Sequence, residues 1–355
     1  MIAPLIAAVA ALALSPSPVG RGQVSLVSWN ILAPSYAEPT KYPWANDDAL
    51  AWPNRRSRII DALRSMDADA VCLQEVERVE WGAMETPLSA IGYDSVVQTP
   101  KQSGTRPEHP VCNVVLLRRG RLRCVRSESR SRAQIVVVEA ADVPRGASTT
   151  PPLYLANVHL EAGNDKGAQR LFQLRKLLRR IELQVATDAD PAERGRGLPS
   201  QQGGIGAAAA RRAPVVLAGD FNFDRRSPQY TLLSKGEEGG GAPRGGTEIT
   251  PANPLLPLTD AYAARPPPWG PPLRSSYRNG RLLDFVWTSD AVGILRTMPV
   301  APMAGSTHAH RLPSTRHPSD HLPVGALLRW AGAPAPLPER CAWQQLFVES
   351  VAQAE

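Results

Sequence analysis

Polar side chains able to bind a metal ion and a phosphate follow several short apolar runs along the chain. Each run has the length and composition of a β-strand, and each gives way abruptly to an amide, a carboxylate or an imidazole. Strand ends of this kind, brought together, predict a polar cleft at one edge of a sheet. The runs are SLVSWN, AVCLQE, YLANVHL, VVLAGDFN, LLDFVW and PSDHLPV, and they supply Asn30, Glu75, His159, Asp220, Asn222, Asp284, Asp320 and His321.

These residue types together favour catalysis with a hard divalent cation. Carboxylate and amide oxygens are ligands that such a cation prefers, and imidazoles transfer protons and contact phosphate charge. Taken singly, each residue has an ordinary explanation, such as a solvated carboxylate at a strand end or a turn cap. The coincidence of six blocks of the same kind indicates a catalytic site.

The overall charge says less about function than the blocks do. The formal net charge is +7, with 40 Lys and Arg against 33 Asp and Glu, which suits a polyanionic partner such as RNA. The basic residues are mainly Arg and accompany 35 Pro and 27 Gly, all encoded by GC-rich codons. The positive net charge can therefore be explained equally by codon composition and by a polyanionic partner.

The cysteines and the N-terminal segment bear on the cellular compartment in which the protein resides. The four cysteines form no C-x-x-C pair, which argues against a zinc site or a disulfide framework and favours an intracellular setting. The opening MIAPLIAAVAALALSPSP is apolar but too short for a membrane span, and no basic residue precedes Arg21. We expect residues 1–22 to be a disordered extension or a targeting peptide, and no membrane span elsewhere.

The elements that must position the polar residues are mostly short strands. Helical periodicity occurs in Arg55–Met66 and Ala168–Val185. Strands that are apolar on both faces, mixed with few helices, predict a layered α/β sandwich more than a doubly wound parallel sheet. The predicted strands are Val24–Trp29, Ala70–Gln74, Cys112–Leu117, Ile135–Ala140, Leu153–Val158, Val215–Ala218, Leu283–Thr288 and Ala326–Trp330.

The chain is expected to form a single catalytic domain over residues 23–331, since the polar blocks extend through most of that range. Residues 187–214 and 236–248 are rich in Gly, Ala, Pro and charge without periodicity, which predicts flexible insertions in surface loops. Residues 332–355 form a proline-rich C-terminal tail.

The ordered set WN, LQE, NVHL, GDFN, LDFVW and SDHLP resembles the endonuclease/exonuclease/phosphatase superfamily, from Val24 to Trp330. The resemblance implies a four-layer sandwich of two packed mixed β-sheets flanked by helices. It also implies a phosphoesterase that depends on Mg²⁺, with Mn²⁺ as an alternative. Glu75 would be the primary metal ligand with Asn30 nearby, and Asp320 would bind a second ion if two act.

The same resemblance implies roles for the remaining residues. Asp220 would orient or deprotonate the attacking water, and Asn222 would hold the phosphate. His159 would donate to a non-bridging phosphate oxygen. His321 would be either the general base or another phosphate contact, with Asp284 fixing its tautomer.

A finer match, WNILAPSYA followed by LAWPNRRSRIIDAL, resembles the nocturnin and poly(A)-deadenylase branch. Trp52 and Arg55 fit the branch's Trp-x-x-Arg, and Arg170 with Gln173 fits its Arg-x-x-Gln, which implies that Trp52, Arg55 and Arg170 bind substrate. No leucine-rich repeat for docking is present.

The branch implies a monomeric 3′–5′ exoribonuclease that trims poly(A) and releases nucleoside monophosphates. Two alternatives stay open. One is a phosphatase of a phosphorylated nicotinamide dinucleotide or another small substrate. The other is a non-catalytic binding module, which the complete set of polar residues disfavours.

Overall fold

The computed structural model describes residues 23–99, 110–142, 151–189, 205–236, 253–267, 275–276, 280–299 and 312–330. The predicted extension 1–22, the tail 332–355 and most of the insertion 236–248 lie outside these ranges. No helix within the ranges has the length and apolar composition that crossing a membrane requires.

Short strands predominate among the elements, and the helices come between them. The strands are β1 (Gln23–Asn30), β2 (Ala70–Glu77), β3 (Tyr93–Val97), β4 (Val111–Arg118), β5 (Leu122–Ser129), β6 (Ala133–Ala140), β7 (Leu153–His159), β8 (Val215–Asp220), β9 (Thr259–Asp260), β10 (Asp284–Thr288), β11 (Val292–Thr297) and β12 (Val324–Trp330). The helices are α1 (Asp47–Leu50), α2 (Trp52–Met66), α3 (Trp81–Ala90), α4 (Gly167–Ala189), α5 (Ile205–Arg212), α6 (Pro228–Lys235) and α7 (Ala261–Ala264).

The strands form two six-stranded sheets that have the same strand arrangement at their centres. The first has the order β11–β12–β1–β2–β4–β3, and the second has the order β5–β6–β7–β8–β10–β9. In the middle of each sheet lies a parallel pair, β1 with β2 and β7 with β8, and the other pairings are antiparallel. Because parallel strands end at the same edge, each sheet brings two strand ends together there.

Three apolar layers hold the sheets and helices together. Alternate residues of the strands face opposite ways, so Leu26 of β1 packs between the two sheets while Val27 packs outward. The outward face of the first sheet is covered by α2 and α3, with Ile59 in that layer. The second sheet is covered by α4, with Leu174 and Leu178 buried against it. The four-layer α/β sandwich predicted from the sequence is confirmed.

All eight predicted strands and both predicted helices are present, with bounds that differ by at most four residues. The prediction missed four strands, β3, β5, β9 and β11. Of these, β5 is an edge strand whose side chains are largely exposed or half-buried and therefore form no apolar run. The prediction also missed α3, whose apolar residues are not confined to one face and which contains Pro87. Neither segment carries the periodicity on which the prediction relied.

The prediction of a flexible insertion over residues 187–214 is wrong at both ends. Helix α4 continues to Ala189, and α5 packs beside it. Ala210 and Ala213 are buried in the apolar layer outside the second sheet. The alanine run in this segment has high helix propensity, and the surrounding Gly, Pro and charge concealed it. Residues 190–204 lie outside the described residues.

A buried polar seam joins the two sheets below the edge where the parallel strands end. The side-chain amide of Gln74 donates to Oδ1 of Asn157 over 2.8 Å, and the Asn157 amide donates to the backbone carbonyls of Leu73 and Val114. Asn113 donates in turn to the Asn157 carbonyl over 3.0 Å. Because buried amides left unpaired are costly, these bonds favour one register between the sheets.

Strands β7 and β8 approach too closely at one point for any residue but glycine. A Cβ built on Gly219 would lie 1.8 Å from the carbonyl oxygen of Val158, and Gly219 has a φ of +154°. We expect Gly219→Ala to lower the free energy of unfolding by about 3 kcal/mol, because the strands must separate to admit the methyl group. Urea unfolding followed by circular dichroism measures the effect.

Gly82→Ala is the matched control, since nothing lies within 4 Å of a Cβ at Gly82 in α3. Alanine is a better helix former than glycine, so this variant should unfold at or slightly above the wild-type urea midpoint. A wild-type midpoint for Gly219→Ala would show that β7 and β8 are not held this tightly.

Candidate active site

The predicted polar residues come together where the two sheets meet at one edge. His159 ends β7 and Asp220 ends β8, and these two residues are register partners. Asp284 begins β10, which runs antiparallel to β8, so it is the other register partner of Asp220. Asn30 ends β1 in the facing sheet, and its side chain donates to Asp220 Oδ2 over 3.1 Å. The cleft is therefore built from both sheets.

Glu75 reaches this cleft through an irregularity in β2. The register of β2 with β4 shifts between Leu73 and Val76, and Glu75 has a φ of +57°. Such bulges redirect a side chain that regular pleating would place elsewhere. Oε1 of Glu75 accepts from the Asn30 amide over 2.9 Å, and Oε2 accepts from the backbone N–H of Ala33 over 3.3 Å.

Asp220 lies between two imidazoles. Its Oδ2 is 3.9 Å from Nε2 of His159 and 3.8 Å from Nε2 of His321, while its Oδ1 accepts from the backbone N–H of Asn222 over 2.9 Å. Both imidazole distances exceed that of a direct hydrogen bond. Each Nε2 is thus directed at the carboxylate yet able to contact a substrate oxygen.

Asp284 orients the ring of His321. Its Oδ2 lies 2.8 Å from Nδ1 of His321 and also accepts from the hydroxyl of Ser275 over 2.6 Å. The carboxylate places the ring proton on Nδ1, which turns Nε2 toward the cleft. The backbone is held as well, because Ser319 accepts from the His321 N–H and donates to the Asn30 carbonyl.

Asn222 owes its position to a left-handed backbone. Its φ is +53°, and its side-chain amide donates to the carbonyl of Leu160 over 3.0 Å. That bond ties the turn after β8 to the residue that follows β7. The same conformation directs the backbone N–H of Asn222 at Asp220 Oδ1, which fixes the orientation of that carboxylate.

Burial dominates the acid–base properties of the carboxylates. It raises the pKa of Asp220 to about 6, against the lowering effect of the nearby imidazoles. It also raises the pKa of Glu75, and repulsion from Asp320 acts in the same direction. In both carboxylates the cost of burying the charged form outweighs the favourable effect of the nearby histidines.

The two imidazoles differ in their electrostatics. Burial lowers the pKa of His159, and the nearby Arg132 adds to the lowering despite Asp220. Burial also acts to lower the pKa of His321, but Asp284 and Asp220 outweigh it and raise that pKa well above the usual value. In the metal-free protein, His321 is therefore the histidine that carries positive charge.

The donor set fits a hard divalent cation. Glu75, Asp220, Asp284 and Asp320 converge, and among the described residues no lysine or arginine forms an ion pair with Glu75 or Asp220. Oxygen ligands of this kind suit Mg²⁺ or Mn²⁺. Ligand atoms of Asp220, Asp284 and His321 also lie within 4.8 Å of one another. We infer that Glu75 holds the ion, because Asp284 and His321 already bind each other. Asn30 would take part through a water, since its Oδ1 accepts from the Leu32 N–H over 3.0 Å.

Two residues predicted to bind substrate, Arg55 and Trp52, bond to protein groups in this structure. Arg55 is fully buried and donates to the backbone carbonyls of Ile31 and Leu32, and burial lowers its pKa to about 10. Trp52 donates from its indole nitrogen to Glu80 over 2.7 Å. Arg55 therefore positions the chain that follows β1, which corrects its predicted contact with substrate. Trp52 is half-buried, and its predicted contact with substrate stays a prediction.

Arg170 also acts on backbone and not on the cleft. It is 7% exposed, and its guanidinium donates to the carbonyls of Glu161 over 2.9 Å and Gly163 over 2.7 Å. These bonds shape the loop after β7, where His159 ends the strand. Its assignment as a substrate ligand is corrected in the same way.

Asp320 lies in the site but has a partner of its own. The hydroxyl of Tyr42 donates to Asp320 Oδ2 over 2.8 Å. Tyr42, Ser275 and Ser319 were not predicted from the sequence, because each lies in a loop without periodicity. Ser319 could have been noticed, since it directly precedes the Asp320–His321 pair.

A four-layer sandwich with buried carboxylates, amides and imidazoles at its central strand ends defines a phosphoesterase. The chain matches the endonuclease/exonuclease/phosphatase family over residues 27–321. It belongs to that family, whose name covers nucleases and phosphatases. This confirms the resemblance found in the sequence motifs.

Relatives fall in the branch indicated by the sequence. Protein angel homolog 2 of Homo sapiens is 27% identical over 225 residues, covering 60% of this chain and 37% of the relative. 2′,5′-Phosphodiesterase 12 of Mus musculus is 24% identical over 336 residues, covering 86% of this chain and 52% of the relative. The chain thus spans about half or less of the length of these relatives.

Solved structures share the fold. ANGEL2, a 2′,3′-cyclic phosphatase in complex with adenosine-2′,3′-vanadate, superposes with a TM-score of 0.64 at 19% identity, covering 88% of this chain and 97% of that chain. The human Nocturnin catalytic domain superposes with a TM-score of 0.57 at 19% identity, covering 87% and 94%. These likenesses establish a common architecture.

The role of Glu75 as a metal ligand can be tested without an activity assay. We expect Glu75→Gln to weaken Mn²⁺ binding at least about tenfold, measured by titration calorimetry, because it removes the charged ligand. The metal-free variant should melt at or above the wild-type temperature, since the change relieves the repulsion between Glu75 and Asp320.

Glu85→Gln is the control for this test, since Glu85 is exposed on α3 and bonds Ser95. It should leave Mn²⁺ affinity unchanged. Wild-type affinity in Glu75→Gln would place the ion elsewhere, with Asp220, Asp284 and His321 as the next group to test.

Proposed function

We propose that this chain is a Mg²⁺-dependent phosphodiesterase that removes nucleotides from the 3′ end of RNA. The observation that carries the proposal is the placement of Asp220 between the Nε2 atoms of His159 and His321, at 3.9 and 3.8 Å, opposite Glu75. A carboxylate between two imidazole donors is suited to activating water beside a phosphate.

Asp220 is the residue best placed to act on the attacking water. The Asn222 N–H fixes one oxygen, and the Asn30 amide fixes the other while leaving it directed at the cleft. A carboxylate oriented in this way takes the proton as water attacks phosphorus, and the bond from phosphorus to the 3′ oxygen of the preceding nucleotide breaks, that oxygen leaving with a proton. The groups that orient Asp220 are neutral donors, so its negative charge stays available to accept that proton.

The two histidines contact the phosphate. His321, held at Nδ1 by Asp284, donates from Nε2 to a non-bridging oxygen, and His159 donates from the other side. These bonds strengthen as negative charge develops in the transition state. A magnesium ion at Glu75 would supply further stabilisation of that charge.

The RNA assignment has support from the sequence and the relatives. The WNILAPSYA and LAWPNRRSRIIDAL segments resemble the RNA-trimming branch, and a relative carries the name 2′,5′-phosphodiesterase 12. A net charge of +7 suits a polyphosphate strand. A second candidate is hydrolysis of a small phosphoester, favoured by the likeness to a 2′,3′-cyclic phosphatase bound to adenosine-2′,3′-vanadate.

We expect a 5′-labelled oligoadenylate to shorten stepwise in Mg²⁺, releasing mononucleotides that denaturing gels and chromatography resolve. Chelation should stop the shortening, and added Mg²⁺ should restore it, because the oxygen-rich donor set requires a cation. A circular RNA of the same sequence should stay intact, since it has no 3′ end.

The small-phosphoester candidate gives a different result. The labelled oligomer would stay full-length while RNA ending in a 2′,3′-cyclic phosphate, or a phosphorylated nicotinamide dinucleotide, is hydrolysed. Cleavage of the circular RNA would identify an endonuclease and contradict the proposal.

We expect Asp220→Asn and His321→Gln each to lower kcat on the hydrolysed substrate by about a hundredfold or more, because each removes a group that acts on the reacting atoms. Asp94→Asn is the control, since Asp94 lies exposed on β3 in an ion pair with Arg119. Steady-state kinetics measures the effect. Near-wild-type turnover by Asp220→Asn would move the proton-transfer role to another residue.

A further inference from the structure

A groove beside the catalytic cleft has no part in the proposed chemistry. It encloses about 290 Å³ between α4 and the turn that joins β5 to β6. Its lining combines an aromatic ring with cationic and hydroxyl side chains, which none of the catalytic steps requires. The lining includes Thr99, Ser129, Arg130, Arg132, Phe172 and Lys176.

The groove lies next to the end of β7, which carries His159 of the active site. Leu160, which lines the groove, directly follows His159 in the chain. The backbone N–H of His159 donates to the carbonyl of Arg132 over 2.9 Å, so the turn carrying the groove's arginines is bound to the end of β7. A chain of nucleotides leaving the cleft on this side would enter the groove.

Phe172 of α4 lines this groove and is exposed there. It is 53% exposed, although α4 buries Leu174 and Leu178 on its other face. Among the described residues, the exposed large apolar side chains are Val79, Val125 and Phe172, so Phe172 is the aromatic one. The amino group of Lys176 lies 4.3 Å from the ring centroid, which adds a cation to the same surface.

The charge around the ring is complementary to phosphate. Arg130 pairs with Glu128 over 3.1 Å and Arg132 pairs with Glu161 over 2.5 Å, and both guanidinium groups stay partly exposed. Each guanidinium has more donors than one carboxylate uses. Together with Lys176, these arginines therefore give the groove cationic groups that can contact the phosphates of a nucleic-acid strand lying along it.

We propose that this groove binds single-stranded RNA next to the scissile phosphate, with one base stacked on Phe172 and the backbone along Arg130, Arg132 and Lys176. An exposed aromatic ring among cations is how proteins hold single strands without reading their sequence. The inference rests on the proposed function for its substrate and deepens it. It assigns the enzyme to strands of several nucleotides and not to dinucleotides.

The test separates binding from turnover. Affinity for a fluorescein-labelled decaadenylate is measured by anisotropy in chelator, where no cleavage occurs, for wild type, Phe172→Ala and Lys176→Gln. We expect Phe172→Ala to weaken binding about tenfold, the order that loss of one stacked base produces. Lys176→Gln should make the dependence of log affinity on log salt shallower by about 0.7, as for one lost phosphate contact.

Two matched controls lie outside the groove. Val125→Ala removes another exposed apolar side chain, and Lys235→Gln removes an exposed lysine at the end of α6. Neither should change affinity or salt dependence. Hydrolysis of bis(p-nitrophenyl) phosphate, which is too small to reach the groove, should be equal in wild type, Phe172→Ala and Lys176→Gln.

The results separate the groove from the proposed function. Wild-type affinity of Phe172→Ala for the decaadenylate would overturn the groove proposal even if the enzyme shortens RNA. Equal losses with Val125→Ala and Lys235→Gln would overturn it too, because the effect would not be local. Failure of wild type to shorten a bound oligoadenylate would refute the proposed function and leave the groove's affinity for a strand standing.

Discussion

The active site depends on a fixed register between two separate β-sheets. Asn30 and Glu75 come from one sheet, while His159 and Asp220 come from the other, so a slip of one sheet would disperse the site. The Gln74–Asn157 bond of 2.8 Å and the Asn157 bonds to two carbonyls join the sheets directly beneath it. An apolar interface tolerates sliding more readily than buried amides whose partners must all be satisfied.

The concentration of negative charge in the cleft follows from that arrangement. Burial raises the pKa of Glu75 and Asp220, which means that the fold holds carboxylates where their charged forms are disfavoured. Glu75 also has a left-handed backbone within an irregular stretch of β2. Strain and repulsion of this kind persist at functional sites because the surrounding structure is stable enough to impose them. A bound cation relieves the repulsion.

The sequence could predict the strands that carry the chemistry, because they are apolar on both faces and end abruptly in polar residues. The family's motifs also identified the residues that converge in the cleft, including Asp284 and His321. The roles of Arg55 and Arg170 could not be predicted, since a motif match does not show whether a guanidinium faces the cleft or backbone carbonyls. The exposed strand β5 and the packed end of the 187–214 segment lacked the periodicity that such prediction requires.

The proposed function and the proposed groove assign chemistry and strand binding to different parts of this fold. The residues that act on the phosphate lie at the ends of central strands, where two sheets and their amide seam hold them. Arg130, Arg132 and Phe172 lie on a turn and on the outer face of α4, where a change alters no strand pairing. A hydrolytic centre can therefore be retained while the groove beside it is altered. Relatives named for a 2′,5′-phosphodiester and a 2′,3′-cyclic phosphate share this fold, and a fold by itself does not determine the substrate.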